Sequence, residues 1–163
     1  MTRWRDFPVS WQELHRDARA LAWRLTSLAP FRGIVAIARG GLVPAAVVAR
    51  ELDIRLIDTL SIETYREERE LAEPRLLLAP AAAALVDGGA GWLVVDDLVD
   101  TGATAKVARA LMPGAHFAAV YAKPAGRPLV DTFVTEVSQD TWILFPWDTE
   151  LAFSDPLAAR RPK

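Results

Sequence analysis

The strongest constraint on the fold is a series of apolar segments that are followed by short polar loops. These segments cover 33–38, 92–96 and 115–122, they are rich in β-branched residues or alanine, and none alternates apolar with polar positions. A strand that is apolar throughout is covered on both faces, which is typical of a parallel sheet flanked by helices. We therefore predict one α/β domain over residues 1–163, built around a mostly parallel central sheet.

The segments between these strands carry helical patterns or further strand patterns. The first helix begins with Ser10 and Glu13, which match a capping box, and apolar residues then recur every three or four positions. This stripe predicts that Trp11 and Trp23 are core residues. Helices are predicted over 10–28, 42–52, 76–86 and 104–112, and further strands over 55–62 and 132–137.

The composition excludes several classes of function. The chain has 19 Lys and Arg residues against 21 Asp and Glu, so it lacks the basic excess of a nucleic-acid or anionic-membrane binder. It has no cysteine and two histidines, His15 and His116, which disfavours disulfides, thiolate chemistry and Cys- or His-based metal sites. No apolar run reaches 18 residues and the N-terminus has no signal pattern, so we expect a cytoplasmic protein without a transmembrane segment.

Three acids lie at and just after the end of the predicted strand at 92–96. Asp96 and Asp97 are adjacent, Asp100 follows in a short loop, and residues 101–104 read Thr-Gly-Ala-Thr before a helix. Ligands of open α/β sheets bind at the carboxyl ends of strands, and a helix N-terminus of this kind suits a phosphate. Carboxylates would repel that phosphate unless a pair of them binds a ribose diol, directly or through a divalent cation, while the third holds a proton or stabilises positive charge. The segment therefore predicts a ligand with a phosphate, sugar hydroxyls and Mg²⁺.

Residues 95–104 resemble the phosphoribosyl-pyrophosphate (PRPP) signature of the type I phosphoribosyltransferase family. The segments 38–44, 122–131, 139–143 and 146–148 are similar to bacterial members of that family that act on 6-oxopurines. The resemblance implies the type I phosphoribosyltransferase fold, with helices around the sheet, a small hood and a mobile lid. It also implies Mg²⁺-dependent transfer of 5-phosphoribosyl from PRPP to guanine, xanthine or hypoxanthine in purine salvage.

The same resemblance assigns the residues that would bind PRPP and catalyse its reaction. Asp100 becomes the base toward the purine N7 proton, and its charge also favours a cationic ribose. Asp97 and Asp148 are the implied metal ligands. The implied PRPP site has three parts: a pyrophosphate loop, in which the family often has a cis peptide, the two acids at the strand end, and a cradle for the 5′-phosphate. The residues of these three parts are Arg39, Gly40, Asp96, Asp97, Thr101, Gly102, Ala103 and Thr104.

Three further residues are implied to bind the purine. Lys123 would donate to the 6-oxo group, since an ammonium has donors only and disfavours a 6-amino group. The Trp142 indole would stack on the base, and the backbone of Ile143 would contact its edge near the 2-position. Leu144 stands where the family pattern has a polar acid, which leaves the preference among guanine, xanthine and hypoxanthine open.

The resemblance also implies a lid over 63–91 and a base-binding hood over 123–153. Arg66 or Arg69 could reach the diphosphate from this lid. The lid is longer than the family pattern by an apolar insertion at 76–84, which could pack against another subunit. We expect a homo-oligomer, either a dimer or a tetramer.

Three other functions compete with this prediction. A PRPP-sensing regulator without catalysis would need no base pocket and would usually add a basic nucleic-acid-binding face. A phosphoribosyltransferase for adenine or a pyrimidine conflicts with Lys123. A plain interaction module leaves the acids at 96–100 unexplained.

Overall fold

The computed structural model describes residues 5–64, 66–67, 70–71 and 73–148. The helices are α1 (Trp11–Leu25), α2 (Leu42–Glu51), α3 (Ala82–Leu85) and α4 (Ala103–Leu111). The strands are β1 (Arg5–Pro8), β2 (Gly33–Ala38), β3 (Ile57–Glu63), β4 (Arg66–Glu67), β5 (Glu70–Leu71), β6 (Arg75–Leu78), β7 (Trp92–Val99), β8 (His116–Ala122), β9 (Thr132–Glu136) and β10 (Thr141–Leu144).

Six of these strands form the central sheet, in the order β6-β3-β2-β7-β8-β9. All neighbours in this sheet are parallel except β6, which pairs antiparallel with β3 at one edge. The predicted mostly parallel α/β sheet is therefore confirmed. Two small sheets accompany it: β1 pairs parallel with β10, and β4 pairs antiparallel with β5.

Helices cover both faces of the central sheet, which explains why its inner strands lack polar alternation. Ile34 and Ala36 of β2 pack with α1 and α2 on one face, whereas Val35 and Ile37 pack with α4 on the other. Successive side chains of a strand point to opposite faces, so a strand between two helical layers must be apolar throughout.

The first helix begins within one residue of its predicted start but ends at Leu25, three residues before its predicted end, and its tryptophans do not lie in the core. The Ser10–Glu13 capping box is formed, and Leu14, Leu21 and Leu25 are buried. Trp23 is 79% exposed because it lies nine residues after Leu14, about two and a half helical turns, and so faces the opposite way. Trp11, in the first turn, is 53% exposed and contacts Trp147 edge to face.

The helix predicted over 76–86 is wrong. Residues 75–78 form strand β6, and within the predicted range only Ala82–Leu85 are α-helical. The backbone of β6 pairs with the open edge of β3, and Pro80 stands between the strand and the short helix. Leu76, Leu77 and Leu78 all remain exposed, so pairing with the sheet edge rather than burial determines this strand.

The residues predicted as a lid therefore include a strand of the central sheet. Hairpin β4–β5 and strand β6 all lie within 63–91. Arg69, which could reach the diphosphate from this lid, lies outside the described residues. None of the helices in the described ranges is long and apolar enough to cross a membrane.

Candidate active site

The carboxyl ends of β2, β7 and β8 bring together the polar residues that the sequence predicted. β2 and β8 are the two parallel neighbours of β7, so the loops that follow the three strands meet at one edge of the sheet. Strand β7 extends to Val99, three residues beyond its predicted end, and so includes Asp96 and Asp97. The backbone of these two acids is therefore held by the hydrogen bonds of the sheet.

Asp96 and Asp97 form an acidic pair in which Asp96 is buried and Asp97 is half-buried. Asp96 is 7% exposed, and its Oδ1 accepts a 2.9 Å hydrogen bond from the Asp97 N–H. The Oδ1 of Asp97 accepts a 2.7 Å bond from the Leu98 N–H. Burial, followed by the Asp97 charge, raises the pKa of Asp96 well above its ordinary value, and burial also raises the pKa of Asp97. Burial therefore makes the ionised form of each carboxyl less favourable than in an exposed aspartate.

The loop after β2 closes over this acidic pair. The peptide bond between Ala38 and Arg39 is cis, as the resemblance implied. Gly40 lies directly against Asp97, because a Cβ atom at Gly40 would stand 2.2 Å from the Asp97 Oδ2. Gly41 donates from its N–H to the Ile37 carbonyl at 2.8 Å, which turns the chain into α2. Arg39 is exposed beside this turn.

The predicted phosphate cradle leads into α4. Gly102 precedes the helix with φ +86°, a left-handed conformation that favours glycine, and a Cβ there would stand 2.4 Å from Leu129 Cδ1. The Thr101 Oγ1 accepts a 3.4 Å bond from the Ala103 N–H. The first N–H groups of a helix have no carbonyl partner within the helix, so residues 101–104 offer donors to an anion.

Lys123 and Asp100 form an ion pair at the ends of β8 and β7. The Lys123 Nζ lies 3.0 Å from the Asp100 Oδ2, and the lysine is 1% exposed. A buried ammonium requires charged or polar partners, so an ordinary surface lysine is excluded at this position. The Lys123 N–H also donates to the Val99 carbonyl at 2.9 Å, which fixes the two loops to each other.

Sequence reasoning missed two residues of this site. Gln139 donates from its Nε2 to the Asp100 Oδ1 at 2.8 Å and accepts from the Ala125 N–H at 3.0 Å. Gly126 packs on the backbone at the end of β7, because a Cβ there would stand 2.7 Å from the Val99 carbonyl oxygen and equally close to that of Asp100. Both lie in segments that carry the resemblance, but no local pattern distinguishes them from ordinary turn residues.

The predicted purine-binding residues of strand β10 divide between its two faces. The Ile143 side chain is 6% exposed and belongs to the core, so only its main chain could contact a base. Trp142 and Leu144 are half-buried on the other face. The sequence did not predict this strand, which exists because β10 pairs with β1 from the start of the chain.

Asp148 follows β10 and interacts electrostatically with the acidic pair. Its charge contributes to the raised pKa of Asp97, after the larger effect of burial. The Asp148 Oδ2 also accepts a 3.3 Å bond from the Phe145 N–H. The described residues contain no group of three or more acidic, His or Cys side chains arranged to hold a metal by themselves. Mg²⁺ commonly uses one or two carboxylates together with substrate phosphates and water, which the Asp97 and Asp148 carboxylates fit.

Comparisons with known proteins agree with this geometry. Residues 10–154 match the family model described as "Phosphoribosyl transferase domain". The chain is 60% identical over 152 residues to a xanthine-guanine phosphoribosyltransferase of Nitratidesulfovibrio vulgaris (strain DP4), covering 93% of this chain and 90% of the relative. It is also 60% identical over 160 residues to the protein of that name from Desulfotalea psychrophila, covering 98% and 96%.

Solved structures show the same fold. A purine phosphoribosyltransferase from Pyrococcus horikoshii superposes with a TM-score of 0.74 at 25% identity, covering 93% of this chain and 99% of that chain. The xanthine-guanine-hypoxanthine phosphoribosyltransferase of Helicobacter pylori superposes with a TM-score of 0.69 at 22% identity, covering 87% and 93%.

Proposed function

Because the chain belongs to the xanthine-guanine phosphoribosyltransferases, we infer that it transfers 5-phosphoribosyl from PRPP to guanine or xanthine in purine salvage. The products are the nucleoside 5′-monophosphate and pyrophosphate. The observation that supports this reaction best is the contact between the Lys123 ammonium and the Asp100 carboxylate, beside the acidic pair. In our proposal, Lys123 is the donor to the purine 6-oxo group and Asp100 is the proton acceptor beside it.

The PRPP site would use the ends of β2 and β7. Asp96 and Asp97 would accept hydrogen bonds from the ribose diol, and residues 101–104 would hold the 5′-phosphate at the start of α4. The backbone of Arg39 and Gly40, together with the Arg39 side chain, would meet the diphosphate. Asp97 and Asp148 would hold Mg²⁺, which when bound offsets charge on the leaving diphosphate.

The purine would occupy the side of the site formed by β8 and β10. The Lys123 ammonium would move from Asp100 to the 6-oxo oxygen, and the Trp142 indole would stack on the ring. A ring nitrogen of the base then attacks C1′ from the face opposite the diphosphate. The C1′–O bond breaks with its electron pair leaving on pyrophosphate, and the N7 proton passes to Asp100. The Asp100 charge also favours the positive charge that develops on the ribose.

The organisation around this site is part of the same proposal. We place it in one domain over residues 1–163, with the hood over 123–153 and the lid over 63–91. The lid would exclude water from the reacting sugar. The exposed leucines of β6 would face another subunit of a dimer or tetramer.

Product formation from PRPP and Mg²⁺ tests the function directly. The purified chain is supplied with guanine, xanthine, hypoxanthine or adenine, and the nucleotide and pyrophosphate are measured. We expect transfer to the 6-oxopurines and none to adenine. Transfer only to adenine would remove the role of Lys123, and PRPP binding without any product would support a regulatory protein instead.

A further inference from the structure

We propose that Gln139 is a positioning residue that fixes the orientation of the Asp100 carboxylate for proton transfer. The proposal rests on the function proposed above, in which Asp100 is the base. Gln139 lies in the turn between β9 and β10, and its side chain reaches across to the loop after β7. It is an exposed residue, yet both ends of its amide are engaged.

The orientation of the Gln139 amide is determined by its neighbours. The Ala125 backbone N–H can only donate, so the amide oxygen must face it, at 3.0 Å. The amide NH₂ group is then directed at the Asp100 Oδ1, at 2.8 Å. A backbone group of one loop therefore determines which group Gln139 presents to the carboxylate of another.

The two oxygens of Asp100 have different partners with different expected behaviour. Oδ2 contacts the Lys123 ammonium at 3.0 Å, and the proposed mechanism moves that ammonium to the purine. Oδ1 contacts a neutral amide, which nothing in the mechanism removes. When the purine binds, Oδ2 is thus exposed to the base while Oδ1 stays held, so Oδ2 is the oxygen that takes the proton.

The surrounding backbone makes this arrangement rigid. Gly126 packs on the Val99 and Asp100 carbonyls, and its N–H donates to the Lys123 carbonyl at 3.0 Å. The loop that holds Ala125 is therefore fixed to the loop that holds Asp100. A side chain held at both ends by such a frame restricts carboxylate rotation, and a misplaced reacting group can cost on the order of 100-fold in rate.

Two substitutions at Gln139 distinguish positioning of the Asp100 carboxylate from attachment of the loop that holds Ala125. Gln139→Glu keeps an oxygen that accepts from the Ala125 N–H but replaces the donor to Asp100 with an acceptor. Gln139→Met removes both hydrogen bonds at similar volume. Gln12→Glu is the matched control, because Gln12 is the other glutamine of the chain and lies exposed on α1. Steady-state kcat and the KM for PRPP are measured with guanine, Mg²⁺ and PRPP for all three variants.

We expect kcat to fall at least about 10-fold in both Gln139 variants, with the KM for PRPP within about 2-fold of the unsubstituted value. Gln12→Glu should match the unsubstituted chain. In an Asp100→Asn background, Gln139→Met should cause little further loss, since residues that act as a unit are not additive.

Three results would overturn the proposal. Gln139→Glu with normal kcat would show that attachment to Ala125 is sufficient. A rise in the PRPP KM without a fall in kcat would place Gln139 in substrate binding. An undiminished loss in the Asp100→Asn background would show that it acts independently of Asp100. Failure of the proposed function itself looks different, because the unsubstituted chain would then form no nucleotide.

Discussion

The acids at the end of β7 fall into two sets with opposite surroundings. Asp96 and Asp97 are close together, and within the described ranges no salt bridge joins either of them to a cation. Asp100, three residues after Asp97, contacts the Lys123 ammonium at 3.0 Å and the Gln139 amide at 2.8 Å. The protein compensates the charge of Asp100 itself, whereas we propose that a bound ligand compensates the charge of the first pair.

This difference separates the two halves of the proposed reaction. A pair of carboxylates whose pKa values are raised by burial is costly to ionise by itself and is well matched to sugar hydroxyls and a divalent cation. A carboxylate held by a lysine and an amide is organised before any ligand arrives. Substitutions on each side should therefore affect different measurements, and four of them test the division.

The largest effect is expected from Asp100→Asn. Removing the base should lower kcat with guanine by about 10²- to 10⁴-fold, the usual contribution of a general base, while PRPP binding largely survives. Turnover is measured by nucleotide formation and PRPP binding by calorimetry with Mg²⁺. Guanine turnover at the unsubstituted rate would show that Asp100 is not the base.

Lys123→Met should have the next largest effect, and it should be selective for the base. Loss of the donor leaves a 6-oxo oxygen unpaired, so kcat/KM for guanine should fall on the order of 100-fold. The affinity for PRPP should change little, because Lys123 contacts Asp100, which we place on the purine side of the site. The comparison is made on the four-purine panel, and an equal loss of PRPP affinity would contradict the division between the two sides.

Gly40→Ala tests the acidic pair from the opposite loop. The added Cβ would stand 2.2 Å from the Asp97 Oδ2, so the carboxylate or the loop must shift. We expect the Kd for PRPP in the presence of Mg²⁺ to rise about 10-fold, corresponding to about 1.4 kcal/mol. Gly114→Ala is the control for local strain alone, since its Cβ would also crowd backbone atoms, the nearest at 3.2 Å, but in a turn remote from these loops. Unchanged PRPP affinity would show that Asp97 need not stay where it lies.

The smallest effect is expected on stability, from Asp96→Asn in the absence of ligands. Because the pKa of Asp96 is raised on folding, its stabilising contribution is complete below the unfolded pKa of about 4 and is lost as pH rises through the folded value. An asparagine does not ionise, so the variant does not lose stability as the pH rises. Its side-chain oxygen can still accept the hydrogen bond from the Asp97 N–H. The variant should be more stable at pH 8 by about 1 kcal/mol, or roughly 2–4 °C in Tm.

Thermal unfolding at pH 4, 6 and 8 checks this sign. The difference in Tm between the variant and the unsubstituted chain should grow as the pH rises, because only the unsubstituted chain loses stability when Asp96 ionises. A difference that is the same at pH 4 and pH 8 would mean that protonation of the acidic pair does not cause it.

Much of the fold could be predicted because burial on both faces leaves a local signal. The strands at 33–38 and 115–122 and the first helix follow from periodicity within a few residues, since each is defined by its own apolar pattern. Strands β1 and β10 carry no such signal: β1 is four exposed residues ending in proline, and it forms by pairing with residues 141–144. The prediction of a helix at strand β6 is wrong because a short run of leucines is compatible with both a helix and a strand. Pairing with the open edge of β3 determines that these residues form a strand.

The sequence by itself determined the chemical content of the site and its order along the chain. An apolar strand, three acids, a Thr-Gly-Ala-Thr segment and a lysine after the next strand are all local features. Only the tertiary structure decided that Lys123 and Gln139 both contact Asp100, and that Gly40 lies against Asp97. The physical reason is that these contacts join loops from different strands, and their distances depend on strand order and register, which no single segment contains.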